Sequence, residues 1–418
     1  MFLDKKEVLE LETKEQTVDK KNDLFDKCSN FTAAREVRAA GLYPYFNPIS
    51  SEPGDEVVIG DRKLIMIGSN NYLGLVNDMR VKEAAADAAR KYGSGCTGSR
   101  FLNGTLDLHI ELEAKLAEFF KREGALVYST GFQTNLGTIS CLAGKNDALV
   151  IDRSVHASIV DACRLSYGKT VKFAHNDIAD MKRVINNLIN NGLKGGILIV
   201  VDGVFSMEGD IIKLPELVAV AKEYGARVMV DDAHSVGVLG AGGRGTAEHF
   251  NMIDDVDITM GTFSKSFASL GGFIVADETV IEYVKHFARE LIFSASIPPS
   301  NVAAVIKALE IIESEPERRE NLWKNTHKMH RGFRELGFKI GATETPVVPI
   351  YIGEDMATFA FWKELFENGV FANAIVSPAV APGNSLLRTS YTATHTEDQL
   401  DRVLEVFAKI GKKLGIIS

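Results

Sequence analysis

The chain has 418 residues, which is long enough for about two to three domains of ordinary size. Its composition, with 45% apolar and 25% charged residues, is that of a globular protein and excludes fibrous and low-complexity classes. The formal net charge of −9 argues against binding nucleic acid or anionic lipid over a whole face, because both need clustered Lys and Arg.

The amino-terminal segment, residues 1–26, alternates Lys with Glu and Asp and lacks the apolar stretch of a secretory signal. No apolar run approaches the roughly 20 residues of a membrane-spanning helix. The four cysteines have no CxxC or other regular spacing, so we expect free thiols in a reducing cytoplasm. These features predict a soluble cytoplasmic protein. They leave open whether the charged arm is mobile, packs on a partner or touches the inner face of the membrane.

Residues 81–92 and 106–121 are predicted to form amphipathic helices, because their apolar residues recur at helical spacing. Short β-branched runs then alternate with helical stretches. Runs that are apolar throughout mark strands buried on both faces, so this alternation predicts a mainly parallel sheet wrapped by helices. The predicted strands are 125–129, 148–151, 197–202, 227–231, 257–260 and 272–275, and the helices between them include 178–190 and 214–224.

Two prolines in 294–300 interrupt this pattern, and a helix over 301–314 is predicted to lead into a smaller domain. Thr396 and Gln399 fit a capping box that starts the last helix. The other elements predicted beyond the prolines are helices at 317–336 and 356–368 and strands at 347–352, 370–376 and 386–392. We therefore predict an α/β fold in three parts. These parts are an N-terminal arm and small segment (1–65), a large domain (66–300) and a C-terminal α+β domain (301–418).

A carboxylate and an amine follow two of the predicted strands. The strand 227–230 stops at Asp231, in the sequence DDAH, and the strand 257–260 is followed by GTFSKS, which contains Lys265. Because the carboxyl ends of parallel strands share one edge of a sheet, the two groups are expected to lie together. Taken singly, Asp231 also fits a solvated strand end and Lys265 a surface lysine. Together they match the needs of pyridoxal 5'-phosphate (PLP): a Schiff-base lysine and an acid that keeps the pyridine nitrogen protonated.

Other strand ends supply further groups for such a cofactor. His156 follows the strand 148–151 and is placed to stack on the ring, although an ordinary histidine in a first helical turn gives the same pattern. The strand 125–129 runs into Thr130-Gly131-Phe132-Gln133 and a helical pattern. Backbone N–H groups at a helix N-terminus bind phosphate, and hydroxyls of Thr262 and Ser264 can add to them. A plain strand-to-helix turn is the alternative interpretation there.

The motifs of other chemistries are incomplete or absent. GxGxxG occurs at 93–98 and 240–245, but neither segment has a strand directly before it and a helix opening within it, as dinucleotide binding requires. Histidines in HxxxH or HExxH spacing are absent from the sequence, and so is a GxSxG elbow. We therefore predict neither a metal site nor serine-hydrolase chemistry.

The sequence resembles the α-oxoamine synthase family of fold-type I PLP enzymes over about residues 41–415. The segments that carry the resemblance are GSNNYLGL (68–75), GSGCTGSRFLNGTLDLHIELE (93–113), STGFQTNLG (129–137), DRSVHASIVD (152–161), DGVFSMEGD (202–210), VDDAHSVGVLG (230–240), GTFSKSFASLGGF (261–273) and LLRTSYTATHT (386–396). The resemblance implies a large PLP-binding domain, a smaller C-terminal domain and a homodimer whose active sites use both chains.

By motif, the resemblance also implies roles for single residues. Lys265 would form the Schiff base with PLP, Asp231 would pair with its ring nitrogen, and His156 would stack on the ring. His234 and Ser206 would contact the 3-oxygen of the ring. The implied phosphate-site residues are Gly131, Phe132, Thr262 and Ser264, with Ser294 reaching the neighbouring subunit's phosphate, and the implied carboxylate-binding residues are Arg388 and Asn71.

The segments 43–46, 98–109 and 377–390 are most similar to bacterial family members that condense L-serine with a long-chain acyl-CoA. The implied reaction gives 3-oxosphinganine, CoA and CO2 from L-serine and palmitoyl-CoA. Some of these members carry an arginine before the proline near Val376, and its absence here leaves Arg388 as the main carboxylate ligand. The alternatives are sister specificities for glycine or alanine, an aminotransferase, and a non-catalytic partner subunit, against which the presence of Lys265 argues.

Overall fold

The computed structural model describes residues 23–418. The described residues divide into two compact units, 23–45 and 46–418. In the first unit the described helices are Asp26–Ser29 (α1) and Ala33–Ala39 (α2), neither of which has a buried residue. Most of the charged amino-terminal arm falls outside the described residues, so its predicted alternatives stay predictions.

The second unit begins with an antiparallel hairpin of Glu56–Ile59 (β1) and Arg62–Met66 (β2). Residues 370–371, far along the chain, add a parallel strand to β2. The early hairpin therefore shares one small sheet with the C-terminal part of the chain. The predicted domain boundaries stay predictions.

A seven-stranded sheet forms the centre of this unit, in the order β3-β9-β8-β7-β6-β4-β5. Its strands are Gly124–Tyr128 (β3), Ala148–Asp152 (β4), Lys169–Phe173 (β5), Ile197–Asp202 (β6), Arg227–Asp231 (β7), Ile258–Thr262 (β8) and Gly272–Ala276 (β9). β9 runs opposite to the other six strands of this sheet, which are parallel to one another. The predicted mainly parallel sheet is therefore confirmed. The sequence missed β5, an edge strand whose mostly exposed side chains give no apolar run.

Helices cover both faces of this sheet, because successive residues of a strand point to opposite faces. In β9, Phe273 and Val275 pack in one apolar cluster, whereas Ile274 and Ala276 pack in another. The helices of this part are Met79–Tyr92 (α3), Asp107–Phe120 (α4), Gly131–Leu142 (α5), Ala157–Leu165 (α6), Ile178–Asn190 (α7), Leu214–Tyr224 (α8), Thr246–His249 (α9), Glu278–Phe287 (α10) and Arg289–Ile292 (α11).

The C-terminal part carries a third sheet, which is antiparallel and has the order β10-β13-β12. The helices and strands of the C-terminal part are Pro299–Ser314 (α12), Pro316–Glu335 (α13), Val347–Gly353 (β10), Asp355–Glu367 (α14), Val370–Phe371 (β11), Asn373–Ile375 (β12), Ser385–Ser390 (β13) and Glu397–Lys413 (α15). The predicted capping box at Thr396 and Gln399 is confirmed, because each side chain accepts the other's backbone N–H. Within residues 23–418, no helix combines the length and the apolar character needed to cross a bilayer.

The shared direction of the parallel strands determines where their carboxyl ends lie. Neighbouring strands β4, β6 and β7 all end in an aspartate, namely Asp152, Asp202 and Asp231, and the last two are directly paired in register. The loops that follow these strands, together with the loop after β8, therefore leave the sheet at one edge. Open parallel sheets bind their ligands at this edge.

Candidate active site

A cavity of about 240 Å³ opens at the carboxyl edge of the central sheet. Most of the residues predicted from the sequence line it. They are Gly131, Phe132, His156, Ser206, Asp231, His234, Thr262, Ser264 and Lys265. Asn71, Ser294 and Arg388 are not part of this lining; Arg388 contacts Ser206 of the lining and Ser294 contacts the first turn of the helix at Gly131–Leu142, whereas the hydrogen bonds of Asn71 are to Ser69 and Val76.

Two carboxylates from adjacent strand ends face the cavity. Asp231 is buried, and its Oδ2 accepts a hydrogen bond from Asn135 Nδ2 at 2.7 Å while its Oδ1 accepts the Ala233 N–H at 3.0 Å. Asp202 accepts the His156 N–H at 3.1 Å. Burial, followed by the neighbouring charge of Asp231, raises the pKa of Asp202 well above its ordinary value. Asp202 is therefore a buried carboxyl group that favours the neutral acid.

Lys265 reaches the same cavity from the loop after β8. Burial lowers the pKa of its amine to about 7, and the positive charge of Arg388 acts in the same direction, whereas Asp231 and Asp202 oppose the shift. A lysine with this pKa has a substantial neutral fraction near pH 7. Neutral amines are nucleophiles and bases, so Lys265 is suited to both tasks.

His234 is held on the opposite side by a buried tyrosine. Its Nδ1 lies 2.7 Å from the Tyr72 hydroxyl, and Tyr72 is almost completely buried. Burial, and then the positive charges of Lys265 and Arg388, lower the pKa of His234 well below its ordinary value. The ring is therefore neutral, and it can act as a hydrogen-bonding group without adding a charge to the site.

His156 caps helix α6 at the cavity wall. Its Nδ1 lies 2.7 Å from Ser158 Oγ, and that oxygen accepts a hydrogen bond from Asn135 Nδ2 at 2.9 Å. The same amide of Asn135 thus reaches both Ser158 and Asp231. This network fixes the imidazole relative to the carboxylate, and the edge of Phe132 lies beside the ring with a centroid distance of 6.4 Å.

The first turn of helix α5 opens on the cavity, where Gly131 and Phe132 line it. Thr130 caps this helix by accepting the Gln133 N–H at 3.1 Å, so the free amides of Gly131 and Phe132 begin the first turn. A Cβ at Gly131 would lie 2.8 Å from Thr262 Oγ1, which leaves no room for a side chain. Ser294 Oγ accepts a hydrogen bond from Gln133 Nε2 at 2.8 Å. Ser264 Oγ lies 3.0 Å from Thr262 Oγ1 and adds a hydroxyl.

Arg388 approaches the cavity from β13. Its buried guanidinium donates from Nε to the Ser206 carbonyl at 2.6 Å and from Nη2 to Asn70 Oδ1 at 3.0 Å. Asn71, next to Asn70, is buried and accepts the Val76 N–H at 3.3 Å. Arg388 therefore joins the C-terminal sheet to the loop of Ser206, and its charge is close enough to act on Lys265 and His234.

Sequence reasoning missed several residues at this site: Asn70, Tyr72, Asn135, Ser158 and Asp202. Two of them left a usable signal. Asp202 ends a predicted strand in the same way as Asp231, and Asn135 lies four residues after Gly131 on the same helix face. The contact of Tyr72 with His234 joins residues 162 positions apart and has no local signature.

The residues present fit PLP. The lowered pKa of Lys265 suits covalent attachment, and the doubly hydrogen-bonded carboxylate of Asp231 suits a positively charged ring nitrogen. The first turn of α5, with no Cβ at Gly131, suits a phosphate group. Within residues 23–418, no group of three or more His, Cys, Asp or Glu side chains is arranged to hold a metal ion.

Known sequences are similar to this chain over most of its length. The sequence profile of the family described as Aminotransferase class I and II matches residues 62–407. Serine palmitoyltransferase of Sphingobacterium spiritivorum is 52% identical over 398 residues, which cover 95% of this chain and 99% of that protein. The enzyme of the same name from Bacteroides thetaiotaomicron is 48% identical, with 94% and 99% covered. An 8-amino-7-oxononanoate synthase of Treponema denticola is 42% identical, with 92% and 96% covered.

Solved structures are similar over nearly the whole chain. A high-resolution structure described as SPT with a PLP internal aldimine gives a TM-score of 0.91 at 37% identity and covers 94% of this chain and 100% of that one. Serine palmitoyltransferase of Sphingomonas wittichii gives 0.91 at 38% identity, with 95% and 100% covered. The resemblance stated from the sequence is confirmed. The chain belongs to the aminotransferase class I and II family and, within it, to the α-oxoamine synthases of the fold-type I PLP architecture.

Proposed function

We propose that this chain catalyses the PLP-dependent condensation of L-serine with palmitoyl-CoA to 3-oxosphinganine, CoA and CO2, the first step of sphingolipid synthesis. Relatives named for this activity, 48–52% identical over more than nine-tenths of the chain, support the substrates. The observation that carries the proposal is the shared cavity of Lys265 and Asp231, in which an amine of lowered pKa lies in the field of a buried carboxylate.

When bound, PLP supplies an electron sink for negative charge that develops on the α-carbon of the amino acid. Asp231 would support this chemistry by holding a proton on the ring nitrogen, and Asn135 and the Ala233 N–H keep its carboxylate in place. His156 would pack against the ring, and neutral His234 with Ser206 would bind its 3-oxygen. The N–H groups of Gly131 and Phe132, with the hydroxyls of Thr262 and Ser264, would hold the phosphate.

Lys265 has two tasks in succession. Its amine would hold the cofactor before serine binds. With serine in the site, the freed amine would remove the α-proton, for which a pKa of about 7 is well matched. The α-carbon then bonds to the thioester carbonyl carbon as the C–S bond breaks and CoA leaves. Loss of CO2 breaks the bond to the carboxylate, and Lys265 returns a proton to the α-carbon.

Arg388 and Asn71 are the proposed ligands of the serine carboxylate. The guanidinium of Arg388 is already fixed by Ser206 and Asn70, so binding serine requires little further ordering of this side chain. A carboxylate held beside the cavity keeps the bond that will break oriented relative to the ring.

A homodimer with shared active sites is part of the proposal. Large apolar side chains are exposed around the cavity: Phe132 is 43%, Leu270 47% and Phe293 76% exposed. Phe293 precedes Ser294, which is bonded to the first turn of α5. Cover by a second copy accounts for this exposure. Sedimentation of the purified protein should give a dimer, and a stable monomer with full activity would contradict it. We also propose a cytoplasmic enzyme, with any contact at the inner face of the membrane being peripheral.

The deciding assay mixes purified protein, PLP, L-serine and palmitoyl-CoA and measures both free CoA and the long-chain ketone by mass spectrometry. We expect both products from the wild type and neither from Lys265→Ala, whereas Lys145→Ala, at an exposed position, should keep full activity. Glycine or alanine with acetyl-, succinyl- or pimeloyl-CoA is tested in parallel. A preference for alanine with pimeloyl-CoA would move the chain to the 8-amino-7-oxononanoate synthases, and keto-acid formation from serine would indicate an aminotransferase.

A further inference from the structure

A histidine lies between two carboxylates beside the active-site cavity. His175 follows β5, and its Nδ1 is 3.2 Å from Asp152 Oδ1 while its Nε2 is 3.2 Å from Asp210 Oδ2. A neutral imidazole has one N–H and cannot donate to both acids, so the protonated ring is the form that donates to both carboxylates. Burial opposes the charge, but hydrogen bonds to Asp152 and Asp210 outweigh it and raise the pKa of His175 to about 10.

One end of this bridge is the loop that leads to His156. Asp152 is the fully buried last residue of β4, and its Oδ1 also accepts the Ser154 N–H at 2.7 Å. Its Oδ2 accepts the Asn176 N–H at the same distance. Asp152 therefore fixes the turn at Ser154, two residues before His156, which lines the cavity.

The other end is the loop that carries Ser206. The Phe205 N–H donates to the Asp210 carbonyl at 3.1 Å, which closes residues 205–210 into a compact turn. The His175 ring packs edge-on against Phe205, with a centroid distance of 4.4 Å. Ser206, the next residue, lines the cavity and accepts a hydrogen bond from Arg388 through its carbonyl. Asp210 Oδ1 is buried and has no partner in residues 23–418, so His175 and Asn176 supply the hydrogen bonds of this side chain.

We infer that His175 is a positioning residue of the proposed reaction, acting as a charged bridge that holds the Ser206 loop at the cofactor. The inference rests on the proposed function, since it assumes that Ser206 contacts the ring. His175 itself is separated from the cavity by Phe205 and Ser206 and touches no reacting atom. Its effect on catalysis is assigned to the Ser206 loop rather than to the His156 loop at the other end of the bridge, and a histidine that only stabilises the fold would show no dependence on Ser206.

The test is a double-mutant cycle of His175→Gln and Ser206→Ala on the PLP-loaded enzyme. Glutamine offers no positive charge and donates from one end only, so the bridge to Asp152 or to Asp210 is lost. We expect His175→Gln to lower kcat about tenfold in the wild-type background and less than about twofold further in Ser206→Ala, because contacting or networked residues are non-additive. His175→Gln should shift the absorption maximum of bound PLP in the wild-type background and leave it unchanged in the Ser206→Ala background.

A matched control is His395→Gln. His395 is also buried, its Nδ1 accepts the Thr392 N–H at 3.0 Å and its Nε2 lies 3.2 Å from the Met66 carbonyl, and none of these residues lines the cavity or belongs to the 205–210 turn. We expect this variant to lose thermal stability while keeping kcat and the absorption maximum. If His175→Gln does not fold, Asp210→Asn removes the other half of the bridge and is put through the same cycle.

Equal losses of kcat from His175→Gln in both backgrounds would overturn the inference, and so would an absorption maximum that the substitution leaves in place. Failure of the proposed function is recognised separately, because the wild type would then make no long-chain ketone. The absorption cycle still tests the bridge in that case, since it needs PLP and neither substrate.

Discussion

Asn135 offers the sharpest test of how the site is held, because its amide contacts Asp231 Oδ2 at 2.7 Å and Ser158 Oγ at 2.9 Å. Asn135→Ala removes both contacts and leaves the carboxylate of Asp231 with the Ala233 N–H at 3.0 Å. A hydrogen bond to a charged group contributes about 1.5–3 kcal/mol. Since each 1.36 kcal/mol of transition-state stabilisation is about tenfold in rate, we expect kcat/KM to fall by roughly 10- to 150-fold.

The assay measures kcat/KM for L-serine at saturating palmitoyl-CoA, together with the thermal midpoint of the PLP-loaded protein. Asn325→Ala is the matched control, because Asn325 is buried and its amide makes two hydrogen bonds, to the Thr392 and His395 carbonyls at 3.0 Å. Both variants should lose stability, but only Asn135→Ala should lose catalysis. A fall in kcat/KM of less than about twofold for Asn135→Ala, or an equal fall in the control, would refute the reasoning.

Three further predictions concern single steps. Gly131→Ala places a Cβ 2.8 Å from Thr262 Oγ1, and spectroscopic titration should show PLP binding weakened at least about tenfold. The control Gly144→Ala, whose Cβ meets only an Asp147 oxygen at 3.5 Å, should bind PLP as the wild type does. Equal PLP affinities of the two variants would contradict a phosphate site at Gly131. Because burial holds the pKa of Lys265 at about 7, its amine is protonated below that pH and neutral above it. Covalent attachment of PLP to the apoprotein should thus accelerate up to about pH 7 and then level off, and a rate still rising toward pH 10 would count against this assignment. Arg388→Lys loses the planar fork and should raise KM for serine about tenfold with a smaller change for palmitoyl-CoA; an unchanged KM would remove Arg388 from the carboxylate site.

The sequence was most informative where the chain is buried on both faces. Strands β6 and β7 were predicted to the residue, because each is an apolar run that ends in an aspartate at the sheet edge. The hairpin of β1 and β2 and the edge strand β5 were missed, since their partly exposed side chains give no continuous apolar run. An apolar run in the sequence indicates a strand that is buried on both faces. Strands at the edge of a sheet are partly exposed and leave no such run.

The same distinction applies to the site. Asp231 and Lys265 could be paired from the sequence because both follow strands of one parallel sheet. The contacts of Asn135 with Asp231 and of Tyr72 with His234 could not, because they join residues 96 and 162 positions apart through packing that no local pattern records. The position of Arg388 depended on resemblance alone, since it comes from a different sheet.

The central claim is that the amine of Lys265 carries the cofactor, and borohydride reduction of the PLP-loaded protein tests it most directly. After proteolysis, mass spectrometry should locate the reduced PLP adduct on Lys265, and Lys265→Ala should show no stoichiometric adduct. A stoichiometric adduct on another lysine, or a wild-type protein that retains PLP with no adduct after reduction, would contradict the account.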